Sequence, residues 1–277
     1  MFIRPFELPS IPASLPVYRT IRPGWTLKSA AEFADRFGVK AAARAVKPWY
    51  VCSTKEGVVE VYQATHSARL TRAAFDREGG GTSGGRVPSN NAAIEKADKF
   101  IHGLRDIHKS QPLPPTLSRI EATTQATDGP RSSSRTVAVQ VNYHFTLEDL
   151  PLIGPGAKAQ VTIGASDEIE QAYLFWRQTE RTDKRWTTRP AAAALDTIAK
   201  SSHFARVIRD KDVEVLQVRP GWLCLPPTVV QDALFPVYEV RGRLNGEGRI
   251  RRQFIVFVAA ARKSPTTADR WPAVVIT

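Results

Sequence analysis

The sequence predicts an α+β fold of consecutive helix-plus-antiparallel-sheet units, with curved sheets and helices packed on one face. Three segments carry apolar residues at helical spacing, and each is followed by strand-like segments. Short turns join those strands, as in antiparallel hairpins. This weak structural repeat predicts three helix-plus-sheet units, at 26–75, 91–187 and 188–277. A Pro-rich segment at 1–25 precedes the first unit, and a Gly/Ser-rich linker at 76–90 joins the first unit to the second.

Each predicted helix has a recognisable start. Thr26 can cap the first helix, and Gly38 suits its end. The second helix begins near Ser89 and carries apolar residues at helical steps. The third starts around Thr188, with Pro190 in the first turn, where the missing N–H of proline costs little. We therefore expect each helix to pack an apolar face on a sheet.

The predicted strands form three groups, one behind each helix. They cover 49–53, 58–65 and 68–75, then 118–127, 135–145, 157–163 and 168–179, and finally 213–218, 234–244 and 249–261. In the segment 135–145, valines and aromatic residues alternate with polar residues, which predicts one buried and one wetter face. The run FIVFVAAA at 254–261 is apolar on both faces and is predicted to lie centrally in its sheet.

The linker DREGGGTSGGRVPSN at 76–90 is rich in Gly and Ser, which predicts a flexible connection. A phosphate-binding loop is the alternative for a Gly-rich stretch. That loop requires the GxxxxGK[ST] spacing between a strand and a helix, and the linker lacks this spacing.

The stretch LPLIGPGAKAQVTIG at 150–164 interrupts an apolar run with Gly-Pro-Gly and predicts a wide hairpin. The longer segment VNYHFTLEDLPLIGPGAKAQVTIGASDEIEQAYLFW at 141–176 resembles the PepSY and thermolysin-propeptide-like superfamily. The segment LFPVYEV at 234–240 is similar to a strand of related two-component regulatory proteins. The resemblance implies PepSY/cystatin-like units that bind or inhibit other molecules through a concave sheet and its edge.

The charge balance favours acidic partners. The chain of 277 residues carries a formal net charge of +12, which suits a protein partner or an anionic small molecule. The absence of a recognisable reading motif disfavours nucleic acid, which stays a third hypothesis on charge alone. No apolar run is long enough to insert into a membrane.

Other composition features point to a cytoplasmic protein without a cofactor or metal. Repeated prolines interrupt the N-terminal segment, so no secretory signal is expected. Cys52 and Cys224 are predicted to be buried structural thiols, because two cysteines are too few for a disulfide framework. The His-containing helix near His102 lacks a third converging metal ligand.

Four arginines and two tryptophans are the candidate ligand-binding residues. Arg241 and Arg243, with Arg249 and Arg251 on the next strand of a hairpin, could form a cationic ladder for carboxylates or phosphates. Solvated strand ends are the alternative interpretation. The aromatic candidates are Trp176, for which core packing is the alternative, and Trp222 in a predicted turn, which could serve in recognition or in pinning the loop.

A possible catalytic group surrounds His144. This histidine could act as a general base oriented by Glu148, and Tyr143 could share the proton transfer. Two main functions therefore stay open. The first is a noncatalytic binding or regulatory module that recognises a protein or an anionic ligand through a concave sheet. The second is an isomerase, cyclase or lyase with an acid–base pair in a pocket between sheet and helices.

Overall fold

The fold is known from a computed structural model. It describes residues 2–3, 7–72, 86–104, 111–112, 116–125, 132–165, 167–199, 212–245, 251–262 and 275–276. More than half of these described residues lie in strands. The helices of the described part are α1 (Leu27–Asp35), α2 (Asn90–His102) and α3 (Ala191–Ala199).

The strands follow one another along the whole chain. They are β1 (Phe2–Ile3), β2 (Ser14–Thr20), β3 (Arg44–Val46), β4 (Trp49–Ser53), β5 (Gly57–Tyr62), β6 (Ala68–Arg72), β7 (Gln111–Pro112), β8 (Thr116–Gln125), β9 (Ser132–Tyr143), β10 (Phe145–Leu147), β11 (Leu150–Ile153), β12 (Lys158–Gly164), β13 (Ile169–Phe175), β14 (Thr179–Thr187), β15 (Asp212–Leu223), β16 (Phe235–Asn245), β17 (Arg251–Ala259) and β18 (Val275–Ile276).

These strands form three sheets, one of which curls into a half-barrel. Sheet I has the order β18-β17-β16-β15-β11-β10-β7, and β1 also pairs with β15. Sheet II has the order β3-β4-β5-β6-β13-β12-β9-β8, and β14 pairs with β2 in a separate two-stranded sheet. Neighbouring strands run antiparallel except where β15 pairs with β1 and β11. The prediction of antiparallel sheets is confirmed.

The predicted α+β class of consecutive helix-plus-antiparallel-sheet units is wrong, because the protein is mostly β. Sheets combine strands that are far apart in the sequence. Strand β6 pairs with β13, β11 pairs with β15, and β14 pairs with β2. Long-range pairing of this kind buries strand edges that a self-contained unit would leave open. The helices therefore cover parts of shared sheets.

The capping signals of the first two helices are confirmed, whereas the third helix begins at Ala191, just after Pro190 and not around Thr188. The Thr26 hydroxyl accepts a hydrogen bond from the Ser29 N–H at 3.1 Å, and the Ser29 hydroxyl accepts one from the Thr26 N–H at 2.9 Å. The Ser89 hydroxyl caps α2 in the same way. Helix α3 follows Pro190 directly. Residues 76–85 of the predicted linker lie outside the described residues, and 86–89 lead into α2.

Two packing layers fix the position of the site. Helices α1 and α2 bury small and aromatic residues in the main core, beside the inward face of β9 that the alternation predicts. Helix α3 covers one face of β15, β16 and β17 by packing on valines such as Val218, Val240 and Val256. Because side chains alternate along a strand, the residues between these valines project from the opposite face. That opposite face carries the charged residues of the site.

The run at 254–261 shows the same division. Strand β17 lies between β16 and the two-residue strand β18. Phe254, Val256 and Val258 are buried in the layer beneath α3. Ile255 and Phe257 face the other side, where they line a cavity. One face of the run therefore packs beneath α3, and the other lines a mostly apolar cavity. The predicted central position is wrong, because β17 lies next to the edge strand β18.

No helix in the described ranges is long and apolar enough to cross a membrane.

Candidate anion-binding pocket

A cavity of about 360 Å³ lies on the face of β15, β16 and β17 that α3 does not cover. We call it the arginine pocket. Its polar lining consists of His144, Lys158, Arg219, Glu239 and Arg241. Apolar residues supply most of the remaining lining, among them Ile153, Pro155, Leu223, Leu225, Ile255 and Phe257.

The strand register explains why the charged residues meet. Arg219 on β15 lies opposite Glu239 on β16, and Phe257 on β17 lies opposite the same glutamate. Arg241 follows two residues after Glu239, opposite Ile255. Directly paired residues share a sheet face, as do residues two apart on one strand. The register therefore gathers two arginines and one glutamate beside two apolar side chains.

Glu239 holds both arginines in place. Its side chain is only 3% exposed. Arg219 donates from Nε to Oε1 at 2.9 Å and from Nη2 to Oε2 at 3.1 Å, while Arg241 donates from Nε to Oε1 at 2.5 Å. Such charge-assisted bonds fix the direction of a guanidinium group. Both oxygens of Glu239 are thus occupied by arginines.

Arg241 keeps donors for another molecule. Its Nε atom is committed to Glu239, but no acceptor within the described ranges takes a hydrogen bond from its two Nη atoms. A guanidinium presents its N–H groups as a planar fork that suits an anion with two oxygens. The Arg241 side chain is also 45% exposed, so the fork is accessible.

The electrostatic field of the pocket is positive. Three cations, Lys158, Arg219 and Arg241, line the cavity together with one carboxylate, that of Glu239. The pKa of His144 is lowered by partial burial and by these three cations, while Glu239 opposes the shift. A histidine whose pKa lies below its ordinary value of about 6.5 is neutral near pH 7. The polar lining therefore carries an excess of positive charge.

A loop anchored by Arg177 forms one wall of the pocket. The Arg177 side chain is buried and donates from Nη1 to the Leu225 carbonyl at 2.9 Å. Its Nη2 donates to the carbonyls of Pro226 and Val229 at 3.0 and 2.7 Å. The side chain of Gln231 supports the same loop by accepting a bond from the Leu225 N–H at 3.0 Å. These bonds hold Leu225 and Pro226 against the cavity.

The Gly-Pro-Gly turn at 154–156 forms the opposite rim. Gly154 has a φ of +96°, a conformation that favours glycine. The Gly156 N–H donates to the Cys224 carbonyl at 3.1 Å, and the Cys224 N–H donates to the Ile153 carbonyl at 2.8 Å. The interruption thus lets the chain leave β11, dock on the end of β15 and enter β12. Its alternation resumes there because β12 pairs with β9 and β13 in sheet II.

The structure brings His144 into the pocket without the other two predicted catalytic residues. Tyr143 is buried, and its hydroxyl donates to Asp98 Oδ1 at 2.6 Å, which joins β9 to α2. Burial raises the pKa of the Tyr143 hydroxyl. Glu148 lies in the turn between β10 and β11, where it accepts a bond from Arg181 Nη1 at 2.8 Å. Neither residue lines the pocket.

The two candidate tryptophans belong to the main core. Trp176 packs edge-on against Phe145, and Trp222 packs edge-on against Tyr18. The Trp222 indole N–H donates to the Leu147 carbonyl at 3.1 Å. The segment 219–222, expected to be a turn, lies inside β15. Both rings are therefore part of the core, and neither lines the arginine pocket.

Of the four arginines in the predicted ladder, Arg241 is the one found in the lining of the pocket. Arg241 lines the pocket, whereas Arg243 lies two residues farther along β16, opposite Glu214 and Gln253 and outside the pocket lining. The backbone of Arg251 pairs with Asn245, and Arg249 lies outside the described residues. Sequence reasoning missed Arg219, Glu239 and Lys158. The alternation of β16 was a usable signal for Glu239, since it places this residue on the face of Arg241.

Two further features concern cysteines and metals. Cys52 and Cys224 are buried free thiols, which confirms the prediction for both. In the part of the chain that the structure describes, no group of three or more His, Cys, Asp or Glu side chains could hold a metal ion.

Comparisons with known proteins inform the fold alone. No protein-family model and no curated protein matches this chain. The structure is similar to the crystal structure, at 1.45 Å resolution, of an uncharacterized protein from Eubacterium rectale ATCC 33656, with a TM-score of 0.53 and 7% sequence identity. The match covers 91% of this chain and 86% of that chain. The resemblance to the PepSY superfamily stays a prediction, and the chain shares its overall fold with that bacterial protein.

Proposed function

We propose that the protein is a noncatalytic binding module that holds a small anion with an apolar body in the arginine pocket. The observation that carries this proposal is the Arg241 fork, which the buried Glu239 orients and whose Nη donors have no acceptor in the described part of the chain. An anion would complete these hydrogen bonds. The same role agrees with the binding function that the PepSY resemblance implies.

The lining argues for an amphipathic ligand. Lys158 and Arg241 attract a negative charge, but most of the cavity wall is apolar. A small inorganic ion would leave that wall in contact with water. Ligand pockets of about 300–1,000 Å³ that combine an apolar wall with a few convergent polar groups are typical of small-molecule sites. The cavity volume of about 360 Å³ falls within that range.

The arrangement supports binding more than acid–base catalysis. Both oxygens of Glu239 already accept hydrogen bonds from arginines, so neither is directed at a substrate proton. His144 has no hydrogen-bond partner among the described residues that would orient its ring. The acid–base pair that an isomerase or lyase requires is thus not assembled from these residues.

Replacement of Arg241 tests the proposal. We expect naphthalene-2-sulfonate, an amphipathic anion of about the right size, to bind the wild-type protein. The substitution Arg241→Gln should weaken this binding at least about tenfold, because it removes charge-assisted hydrogen bonds. Isothermal titration calorimetry measures both affinities. Arg243→Gln is the matched control, because it removes the same charge two residues away and outside the pocket.

The control separates a specific site from general charge attraction. Arg243→Gln should keep the wild-type affinity within about twofold. Equal weakening by the two substitutions, or no binding of the sulfonate to the wild-type protein, would contradict the proposal. Thermal unfolding of each variant confirms that the protein stays folded.

Anion binding is also expected to strengthen as the pH falls below about 6.5. Partial burial and the surrounding cations lower the pKa of His144 in the free protein. A bound anion offsets the field of these cations and so raises that pKa. The complex then binds more protons than the free protein between the two pKa values, so acidification favours the complex. The affinity stops increasing once the pH falls below the pKa of His144 in the free protein.

Affinities at about pH 7.5 and about pH 5.5 test this linkage, because a sulfonate stays ionised at both values. His144→Gln should remove the extra affinity at the lower pH while Arg241 still binds the anion. The same pH dependence in wild type and His144→Gln would show that another group is responsible.

A further inference from the structure

We propose that the ligand of the arginine pocket is a monocarboxylate with an extended apolar chain of about twelve carbons. This inference rests on the proposed function and adds the chemical class of the ligand. The carboxylate lies on the Arg241 fork, and the chain follows β15 towards Leu223 and Leu225.

The free donors of the pocket suit a carboxylate. One planar guanidinium fork matches two coplanar oxygens, and Lys158 adds a single charge nearby. Phosphate groups carry more oxygens and are commonly held by several backbone N–H groups. In the lining, the Leu225 N–H already donates to Gln231 Oε1 and adds no backbone donor to the pocket. The Arg241 fork is therefore the donor group that the side chains of the lining present to a ligand.

The ion pairs of Glu239 show which cations of the lining are left for a ligand. Arg219 uses two of its nitrogens on Glu239, so this pair is largely self-compensated. Arg241 shares the same carboxylate through Nε only. Arg241 and Lys158 are therefore the cations that attract a ligand, and the Nη donors of Arg241 match the two oxygens of one carboxylate.

The direction of the chain follows from the sheet. Arg219 and Leu223 are four residues apart on β15, so the lining extends from a charged residue to an apolar one over about 13 Å along the strand. Ile153 lies opposite Leu223 on β11, and Leu225 continues the apolar wall. An elongated molecule with one charged end fits this polarity.

The volume of the cavity sets the size of the ligand. An apolar cavity of about 150 Å³ holds benzene, with six carbon atoms. At the same packing, the cavity of about 360 Å³ in this protein holds roughly fourteen non-hydrogen atoms. Dodecanoate has that number. A shorter carboxylate leaves apolar wall uncovered, and a much longer one has to extend into solvent.

Calorimetric titration with butanoate, octanoate, dodecanoate and hexadecanoate, each below its micelle-forming concentration, tests the assignment. We expect the affinity to rise up to about fourfold for each added CH₂ group through dodecanoate and to gain little from dodecanoate to hexadecanoate. Dodecyl phosphate should bind at least about tenfold more weakly than dodecanoate. Arg241→Gln should remove the preference for carboxylate, and Arg243→Gln should retain it.

The outcomes distinguish the two proposals. Dodecyl phosphate binding as tightly as dodecanoate, or affinity that does not depend on chain length, overturns the carboxylate assignment. If naphthalene-2-sulfonate binds in an Arg241-dependent manner while none of the carboxylates binds, only the assignment fails. If no anion binds to the wild-type protein, the proposed function fails together with it.

Discussion

Replacement of Gly156 with alanine is expected to lower the free energy of unfolding by about 3 kcal/mol. A Cβ atom at this position would lie 1.9 Å from the Leu225 carbonyl oxygen and 3.0 Å from Arg177 Nη1. Both neighbours are held by other bonds, since Arg177 Nη1 donates to that same carbonyl. The backbone must therefore move, and the rim of the arginine pocket must move with it.

Urea-induced unfolding measures this loss, and Gly24→Ala provides the control. Gly24 has a φ of +60°, but a methyl group added there would meet open space, so its replacement introduces backbone strain without a clash. We expect a loss of about 1 kcal/mol there. If Gly156→Ala destabilises the protein no more than Gly24→Ala, the close docking of the turn on β15 is incorrect.

Replacement of Arg177 with methionine is also expected to lower the free energy of unfolding by about 3 kcal/mol. Methionine fills similar space but cannot donate to the carbonyls of Leu225, Pro226 and Val229. Those carbonyls lose bonds to a charged donor, each of which contributes about 1.5–3 kcal/mol, and the removal of a buried charge offsets part of this loss. The loop wall of the pocket should loosen as a result.

Arg181→Met is the matched control for this substitution. Arg181 is exposed and pairs with Glu148 at the surface, so its loss should cost less than about 1 kcal/mol. Urea unfolding gives both stabilities, and hydrogen exchange at the Leu225 amide reports the loop directly. Unchanged exchange in Arg177→Met would mean that Arg177 does not anchor the loop.

Local features of the fold were predictable because their causes are local. A hydroxyl at Thr26 or Ser89 can reach the N–H groups of the following turn whatever the rest of the chain does. Alternation in β9 likewise reveals its buried face. The pairing of β6 with β13 and of β11 with β15 has no such local signal, since it joins segments about a hundred and about seventy residues apart. The fold class depended on those pairings.

The segment 219–222 shows how a local signal can mislead. Pro220 and Gly221 are typical turn residues, and they predict a turn that exposes Trp222. In the structure both lie within β15, where a Cβ on Gly221 would come 2.7 Å from the Pro151 carbonyl oxygen. Glycine is thus explained here by the close approach of β11 rather than by a turn.

The site was predictable only in part for a related reason. The wetter face of β9 extends to His144, and alternation marks Arg241, so both residues could be selected from sequence. The partnership of Arg219 with Glu239 depends on the register of β15 and β16, which shifts at an irregularity between Val215 and Gln217. Such a shift changes which residues share a face and cannot be read from either strand alone.

The most direct measurement of the central claim is a crystal structure of the protein bound to naphthalene-2-sulfonate. We expect the sulfonate oxygens within hydrogen-bond distance of the Arg241 Nη atoms, with the rings against Ile255 and Phe257 and with Glu239 still bonded to both arginines. A sulfonate bound elsewhere, or an Arg241 side chain that turns away from the bound anion, would contradict the account.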